Sequence, residues 1–359
     1  MNRALRIVIC CVSLFYVNGA LGTEVDMESR SHLPALNALT NQTSISGLSS
    51  GAFMTAQFHI AYSENLVGAG IVAGGPWSCA FTNPLLAPLV NATTSCMNPC
   101  QGNAPCAGFP DGNYLAQLAR EHEADGDIDT LSNILDDKLY IFSGQADETV
   151  KKGVVDSLVS FYTALGMNTQ QMYYNASVDA GHAFVTANPS DSECDLTQSP
   201  YLNDCDIYQA QRILEQIYGE LEPPASELSG ELLVFDQTEF FDSSLASMDK
   251  VAFAYVPSSC SSEQCKVHVA VHGCAQGVEE IGTEFVTDAG YNEVADSNGI
   301  IVLYPQAIKS SVVPYNPQGC WDFWGYTDNS LPPFNFYKKT SIQMTAIKSM
   351  IDRITSSSE

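Results

Sequence analysis

The sequence predicts an α/β fold, a mainly parallel sheet with helices on both faces. Short apolar, strand-like runs alternate with amphipathic helical segments from residue 43 to residue 354. Hydrophobic residues make up 45% of the 359-residue chain and charged residues 16%, enough apolar matter for a sizeable core. A tight glycine-flanked turn, Gly47-Leu48-Ser49-Ser50-Gly51, joins the first strand to the first helix.

Residues 1–22 read as a secretory signal and not as part of the fold. Arg3 and Arg6 precede an apolar run over 7–17, too short to span a bilayer, and Ala20-Leu21-Gly22 offers small residues for cleavage. A secreted chain starting near Thr23 and folding as one domain over 23–359 is expected. The strand from Thr43 enters the turn, and 52–62 follows with helical spacing. A strand at 67–73 closes on Gly74-Gly75-Pro76. Residues 77–112, rich in Cys, Pro, Asn and Gly, read as a disulfide-held loop. The acidic run 121–129 reads as a solvated face; its order matches no EF-hand, the calcium alternative. Next come a strand at 139–143, a helix at 154–165, a strand at 171–178 and a helix at 207–218. Glu222-Pro223-Pro224-Ala225-Ser226 is the most linker-like stretch. Strands at 232–235, 251–256 and 267–271, a helix at 285–297, a strand at 300–303 and a helix at 342–354 complete the pattern.

Lys and Arg number 15 against 41 Asp and Glu, a formal net charge of −26. That excludes nucleic acid and anionic membranes as expected partners and describes a soluble, self-repelling chain; a monomer is expected. Without Cys10 and Cys11 of the signal, ten of the 12 cysteines remain, an even number in an oxidising compartment. Zinc at Cys96, Cys100 and Cys106 is the alternative, but no histidine lies near them, so no metal is expected. Asn41, Asn91 and Asn175 stand in glycosylation sequons.

The turn carries the chemistry. In G-x-S-x-G the serine projects above the sheet and the following helix points its N-terminus at a developing oxyanion. Ser49 has both glycines at the right offsets; Ser46 and Ser50 do not. Asp147 follows the strand at 139–143 and His182 follows the strand at 171–178, in the order acid then histidine. Glu148 or Asp179 could replace Asp147 as the group that orients the imidazole. Of His32, His59, His122, His182, His268 and His272, only His182 and His272 fall in loops after strands.

The second oxyanion donor of an α/β-hydrolase comes from a strand and loop upstream of the nucleophile, often marked His-Gly. No such motif precedes Ser49. The run 267–274, with His272-Gly273-Cys274, is that strand and loop placed far downstream, and the chain ends where the nucleophile strand ordinarily begins. The fold expected is therefore a circularly permuted α/β-hydrolase, with nucleophile, acid and histidine in 40–190 and the oxyanion strand and loop in 265–325.

Gly47-Leu48-Ser49-Ser50-Gly51-Ala52, Val72-Ala73-Gly74-Gly75-Pro76, His272-Gly273-Cys274 and Gly319-Cys320-Trp321 resemble the secreted poly(3-hydroxybutyrate) depolymerases of the single-domain, permuted type. The resemblance covers nearly all of the chain after the signal. It implies a serine esterase acting on a polyester of short 3-hydroxyacids, without metal or cofactor. Ser49 becomes the nucleophile, Asp147 the orienter and His182 the base. The N–H groups of Ser50 and Cys274 form the oxyanion hole, and Trp321 lines the acyl or alcohol subsite. Many members carry an appended substrate-binding module; none is expected after the catalytic domain in this sequence, so adsorption is expected to rest on exposed apolar residues of that domain. A feruloyl, acetyl or small-molecule esterase is the alternative substrate class, decided by the pocket around Trp321 and Trp324. A binding protein on an inactive scaffold is the alternative of another kind. Eight cysteines pair over short spans, Cys79–Cys96, Cys100–Cys106, Cys194–Cys205 and Cys260–Cys265, which leaves Cys274–Cys320.

Overall fold

The computed structural model describes residues 30–101, 106–328 and 330–357; the expected signal lies outside them. In chain order the strands are β1 (Thr43–Leu48), β2 (Leu66–Val72), β3 (Lys138–Phe142), β4 (Met172–Asn175), β5 (Phe184–Thr186), β6 (Ser192–Glu193), β7 (Leu202–Asp204), β8 (Glu231–Asp236), β9 (Val251–Val256), β10 (Lys266–Val271) and β11 (Ile300–Tyr304). The helices are α1 (Ser50–Ala61), α2 (Pro88–Thr93), α3 (Gly112–Asp125), α4 (Lys152–Leu165), α5 (Gln209–Tyr218), α6 (Val278–Ile281), α7 (Glu284–Asp288), α8 (Tyr291–Asn298) and α9 (Ile342–Thr355).

Eight strands form one sheet, in the order β4-β3-β2-β1-β10-β11-β9-β8. The pairs from β4 to β11 are parallel, and β9 and β8 finish the sheet antiparallel. Counted from β8, the spatial order becomes 1-2-4-3-5-6-7-8, a hydrolase sheet whose chain starts at its fifth strand. The central strands β1, β2, β10 and β11 are buried along almost their whole length, as two-sided parallel strands must be. The lead-in to β1 also lies against the end of α9: Leu36 N donates to Ile354 O at 3.1 Å and Asn37 N to Ser356 O at 3.0 Å. A continuous hydrolase chain would run covalently from helix to strand at this place.

Four expectations change. The loop region 77–112 contains α2, and the acidic run 121–129 is largely the end of an unforeseen helix, α3. Asp111 caps α3, accepting from Asn113 N at 3.0 Å and Tyr114 N at 3.1 Å. Glu121 and Asp125 face solvent. Asp127, however, takes His122 at 2.7 Å and Lys338 at 2.8 Å, and Asp129 pairs with Lys339. His122, Asp125 and Asp127 converge within 4.8 Å, but the Lys338 ammonium already meets that charge. The helix expected at 285–297 is two helices, broken at Gly290, whose φ of 84° leaves the helical region. The linker-like 222–226 is stapled to α8, with Glu222 N on Asn298 Oδ1 at 2.8 Å and Ala225 N on Glu293 O at 2.8 Å.

One sequon changes meaning. Asn91 is fully buried, and its Nδ2 donates to Ala80 O at 2.8 Å and Asn83 O at 2.9 Å. The nitrogen that a glycan would need is committed to holding the 77–112 segment. No described helix is long and apolar enough to cross a membrane.

Candidate active site

The elbow follows from its glycines. A Cβ on Gly47 would lie 2.5 Å from Gly51 C, and one on Gly51 would lie 2.3 Å from Val271 O. Only glycine lets β1, α1 and β10 approach so closely. Ser49 between them has φ 57° and ψ −122°, a conformation L-residues rarely adopt, and strain of this kind concentrates at functional sites. It lifts the Ser49 side chain off the strand end.

The loops after β3 and β4 bring the partners. His182 Nε2 lies 2.8 Å from Ser49 Oγ, and His182 Nδ1 lies 2.8 Å from Asp147 Oδ2. All three side chains are buried. Asp147 Oδ1 accepts from Thr149 N at 2.8 Å and Val150 N at 2.9 Å, which fixes the carboxylate plane. Glu148 instead points outward to Lys151, and Asp179 is exposed. A second, three-stranded sheet, β5-β7-β6, backs the histidine loop, and the Cys194–Cys205 disulfide ties it. His182 N donates to Thr197 Oγ1 at 2.8 Å, and Gly181 N to Cys194 O at 2.8 Å. These short strands gave no periodic signal in the sequence.

The downstream half supplies the other wall. β10 pairs with β1 in parallel, Gly47 opposite Val271, so the loop 272–274 leaves the sheet beside Ser49. A Cβ on Gly273 would be 3.4 Å from Ser49 Cβ. Ser50 opens α1, where the first N–H groups have no intrahelical acceptor. Among the described residues the Cys274 N–H donates to no protein group. Gln276, which sequence reading passed over, accepts from Gly273 N at 2.7 Å and donates to Pro200 O at 3.1 Å. It thereby ties the 272–274 loop to the β5–β7 region. Cys274 is bonded to Cys320, and the other eight described cysteines join as Cys79–Cys96, Cys100–Cys106, Cys194–Cys205 and Cys260–Cys265. None is left as a thiol for zinc.

Trp321 lies deeper than a pocket-lining role suggests. It is fully buried, its N–H donates to Ser50 Oγ at 3.2 Å and its ring sits 5.4 Å from His272. Its Nε1–H is buried with no partner among the described residues. Trp324 is partly buried beside Phe323, which stacks on Phe53 of α1 at 4.3 Å.

The remaining histidines build the frame. His268 bridges Ser44 Oγ at 2.6 Å and Ser46 Oγ at 2.7 Å beneath the elbow, and burial pulls it down to about 3. Burial likewise pulls His272 down to about 4. The unfolded value is near 6.5, so between about 6.5 and 4 the unfolded chain binds more protons and stability falls as pH falls. Lowering the pH from 7 to 5 should remove about 2 kcal/mol per histidine, before most carboxyl groups titrate. Calorimetry at the two pH values reads this as a lower Tm at pH 5; an unchanged Tm would contradict it.

No family model matches the chain. A polyhydroxybutyrate depolymerase of Talaromyces funiculosus is 34% identical over 340 residues, 90% of this chain and 92% of that protein. This chain belongs to the poly(3-hydroxybutyrate) depolymerase family. A poly(3-hydroxybutyrate) depolymerase of Delftia acidovorans is 38% identical over 331 residues; the chain spans 62% of that relative's length. The PHB depolymerase crystal structure from Penicillium funiculosum superimposes with a TM-score of 0.80 at 32% identity, covering 90% of this chain and 99% of that one. A Ser-to-Ala PHB depolymerase variant complexed with an R3HB trimer gives 0.78 over the same coverage. The α/β sheet expected from the sequence is thus the depolymerase sheet.

Proposed function

We propose that this depolymerase-family chain is a secreted esterase that cleaves poly(3-hydroxybutyrate) with Ser49, His182 and Asp147 as its triad, in one catalytic domain over 23–359. The observation that carries the reading is the unbroken hydrogen-bonded line from Ser49 Oγ through His182 to Asp147, set under the 272–274 loop. His182 Nε2 takes the Ser49 proton as Oγ attacks the ester carbonyl. The carbonyl oxygen, now an anion, meets the N–H groups of Ser50 and Cys274. His182 returns the proton to the departing 3-hydroxyl, leaving an acyl-serine. Water, deprotonated by the same imidazole, releases the acid. Trp321 lines the acyl or alcohol subsite, where a substrate oxygen reaching Nε1–H would satisfy a donor that is otherwise buried and without a partner among the described residues. Five disulfides support a secreted chain. Parallel assays on poly(3-hydroxybutyrate) film and on feruloyl and acetyl esters test the substrate; faster turnover of the latter would replace this reading.

The Cys274–Cys320 bond spans 46 residues and joins the proposed oxyanion loop to Trp321. The chain-entropy model assigns such a loop about 4 kcal/mol. Changing both cysteines to alanine should lower turnover more than removing any other disulfide. Unchanged turnover would show that the bond only stabilises.

Adsorption to a solid needs an uncharged apolar face. From Trp77 to Pro110 there is no Asp, Glu, Lys or Arg, in a chain with 41 acidic residues. From Ser310 to Tyr337 the only charged residues are Asp322, fully buried, and Asp328, partly buried. These segments follow β2 and β11, at the sheet end that carries Ser49, and they expose Leu85 (91%), Phe109 (50%), Val312 (71%) and Tyr315 (63%). Leu85→Glu combined with Val312→Glu should reduce film hydrolysis at least about tenfold, since each buries a charge against polyester, with soluble-ester turnover unchanged. Equal film hydrolysis would place adsorption elsewhere.

A further inference from the structure

We propose that His272 is a positioning residue that aims the Cys274 N–H at the reacting carbonyl by holding the far side of the same peptide unit. The inference rests on reading Cys274 N–H as an oxyanion donor. His272 Nδ1 lies 2.6 Å from Gly273 O, and Ala307 N lies 3.0 Å from His272 Nε2. An amide N–H only donates, so Nε2 is the acceptor and the neutral ring carries its proton on Nδ1. That proton is donated to Gly273 O. Gly273 C=O and Cys274 N–H share one planar trans peptide and point in opposite directions. Fixing the oxygen therefore fixes where the N–H points.

The other contacts of the loop do not set this plane. Gln276 holds Gly273 N, Gln318 O accepts from Ala275 N at 2.6 Å, and the disulfide holds the Cys274 side chain. Each acts on a flanking unit. Glycine at 273 leaves that unit free to rotate, so a dedicated clamp has work to do. His272 is fully buried among Trp321, Ala307 and Gly277, which locks the ring itself. Burial also pulls its pKa down to about 4, so above that pH the ring stays neutral and the bond from Ala307 N holds it as the Nδ1–H tautomer.

Two variants split the ring's functions. His272→Asn puts an amide N–H near the Nδ1 position and keeps the bond to Gly273 O. His272→Gln puts an acceptor near the Nε2 position and keeps only the bond from Ala307. On a soluble 3-hydroxybutyrate ester, His272→Gln should lose about a hundredfold in kcat with KM within about twofold, the cost of one oxyanion donor. His272→Asn should stay within about fivefold of the parent. The parent's preference for an oxygen ester over its thionoester, which a shaped oxyanion hole enforces, should collapse in His272→Gln alone. If His272→Gln matches or exceeds His272→Asn in kcat, the proposal fails. Should neither variant fold, nitrogen NMR of the parent decides: an Nε2–H tautomer at His272 overturns the clamp. A fluorophosphonate separates the two levels. Absence of Ser49 labelling in the parent refutes the underlying reading, whereas equal labelling rates in the parent and both variants refute only the role of His272.

Discussion

Ser49→Ala is expected to lower kcat on a soluble 3-hydroxybutyrate ester by at least about 10⁴-fold, with no loss of thermal stability. Only Oγ is removed, and its hydrogen bond in the structure is the one to His182. The strained backbone at φ 57° is no harder for alanine than for serine. The remaining rate would come from the oxyanion donors and from binding, which the substitution leaves in place. Ser50→Ala is the control. Its proposed contribution is a backbone N–H that alanine retains, and it loses only the Oγ that accepts from Trp321 N. Its kcat should stay within about tenfold of the parent. Ser46→Ala should cost stability but not chemistry, because Ser46 Oγ belongs to the His268 and Tyr291 network in the core. Near-parental turnover in Ser49→Ala would move the nucleophile elsewhere.

These serines show what a sequence discloses and what it withholds. Gly47 and Gly51 were legible because a Cβ at either would strike backbone, so the spacing is forced by contacts inside one turn. Asp147 and His182 were legible because parallel strands deliver loops to one end of the sheet. The permutation was legible because His272-Gly273 stood on a strand in the wrong half, and β10 does lie beside β1. Signals that depend on distant partners were lost. α3 buries only Gly112, Leu115, Ala116 and Ala119, too thin a stripe to stand out, and the acids just beyond its end, Asp127 and Asp129, are met by Lys338 and Lys339 from the far end of the chain. The strands β5, β6 and β7 span two or three residues each, too few for any period. Asn91 reads as a sequon, yet Ala80 and Asn83 occupy its nitrogen. Trp321 reads as a pocket wall, but the depth of its burial against His272, with its Nε1–H unpartnered among the described residues, did not show. In each case composition was visible and the covering partner was not.

Asp147→Asn is expected to cost about 10⁴-fold in kcat while leaving the fold intact. The reason lies in which oxygen does what. Asp147 Oδ1 accepts two backbone N–H groups, from Thr149 at 2.8 Å and Val150 at 2.9 Å, while Oδ2 faces His182 Nδ1 at 2.8 Å. An asparagine must keep its oxygen on the two N–H groups, since an NH₂ there would set donor against donor in a buried site. The NH₂ then faces His182 Nδ1. The imidazole can satisfy it only by accepting there, which moves its own proton to Nε2. An Nε2–H pointing at Ser49 Oγ cannot receive the serine proton, so the base is disarmed although every heavy atom stays in place. Ser49 remains intact, so slow fluorophosphonate labelling should persist, far below the parental rate. Nitrogen NMR should show Nδ1–H at His182 in the parent and Nε2–H in the variant. A variant with kcat within tenfold of the parent, or one that keeps the parental tautomer, would remove Asp147 from the triad.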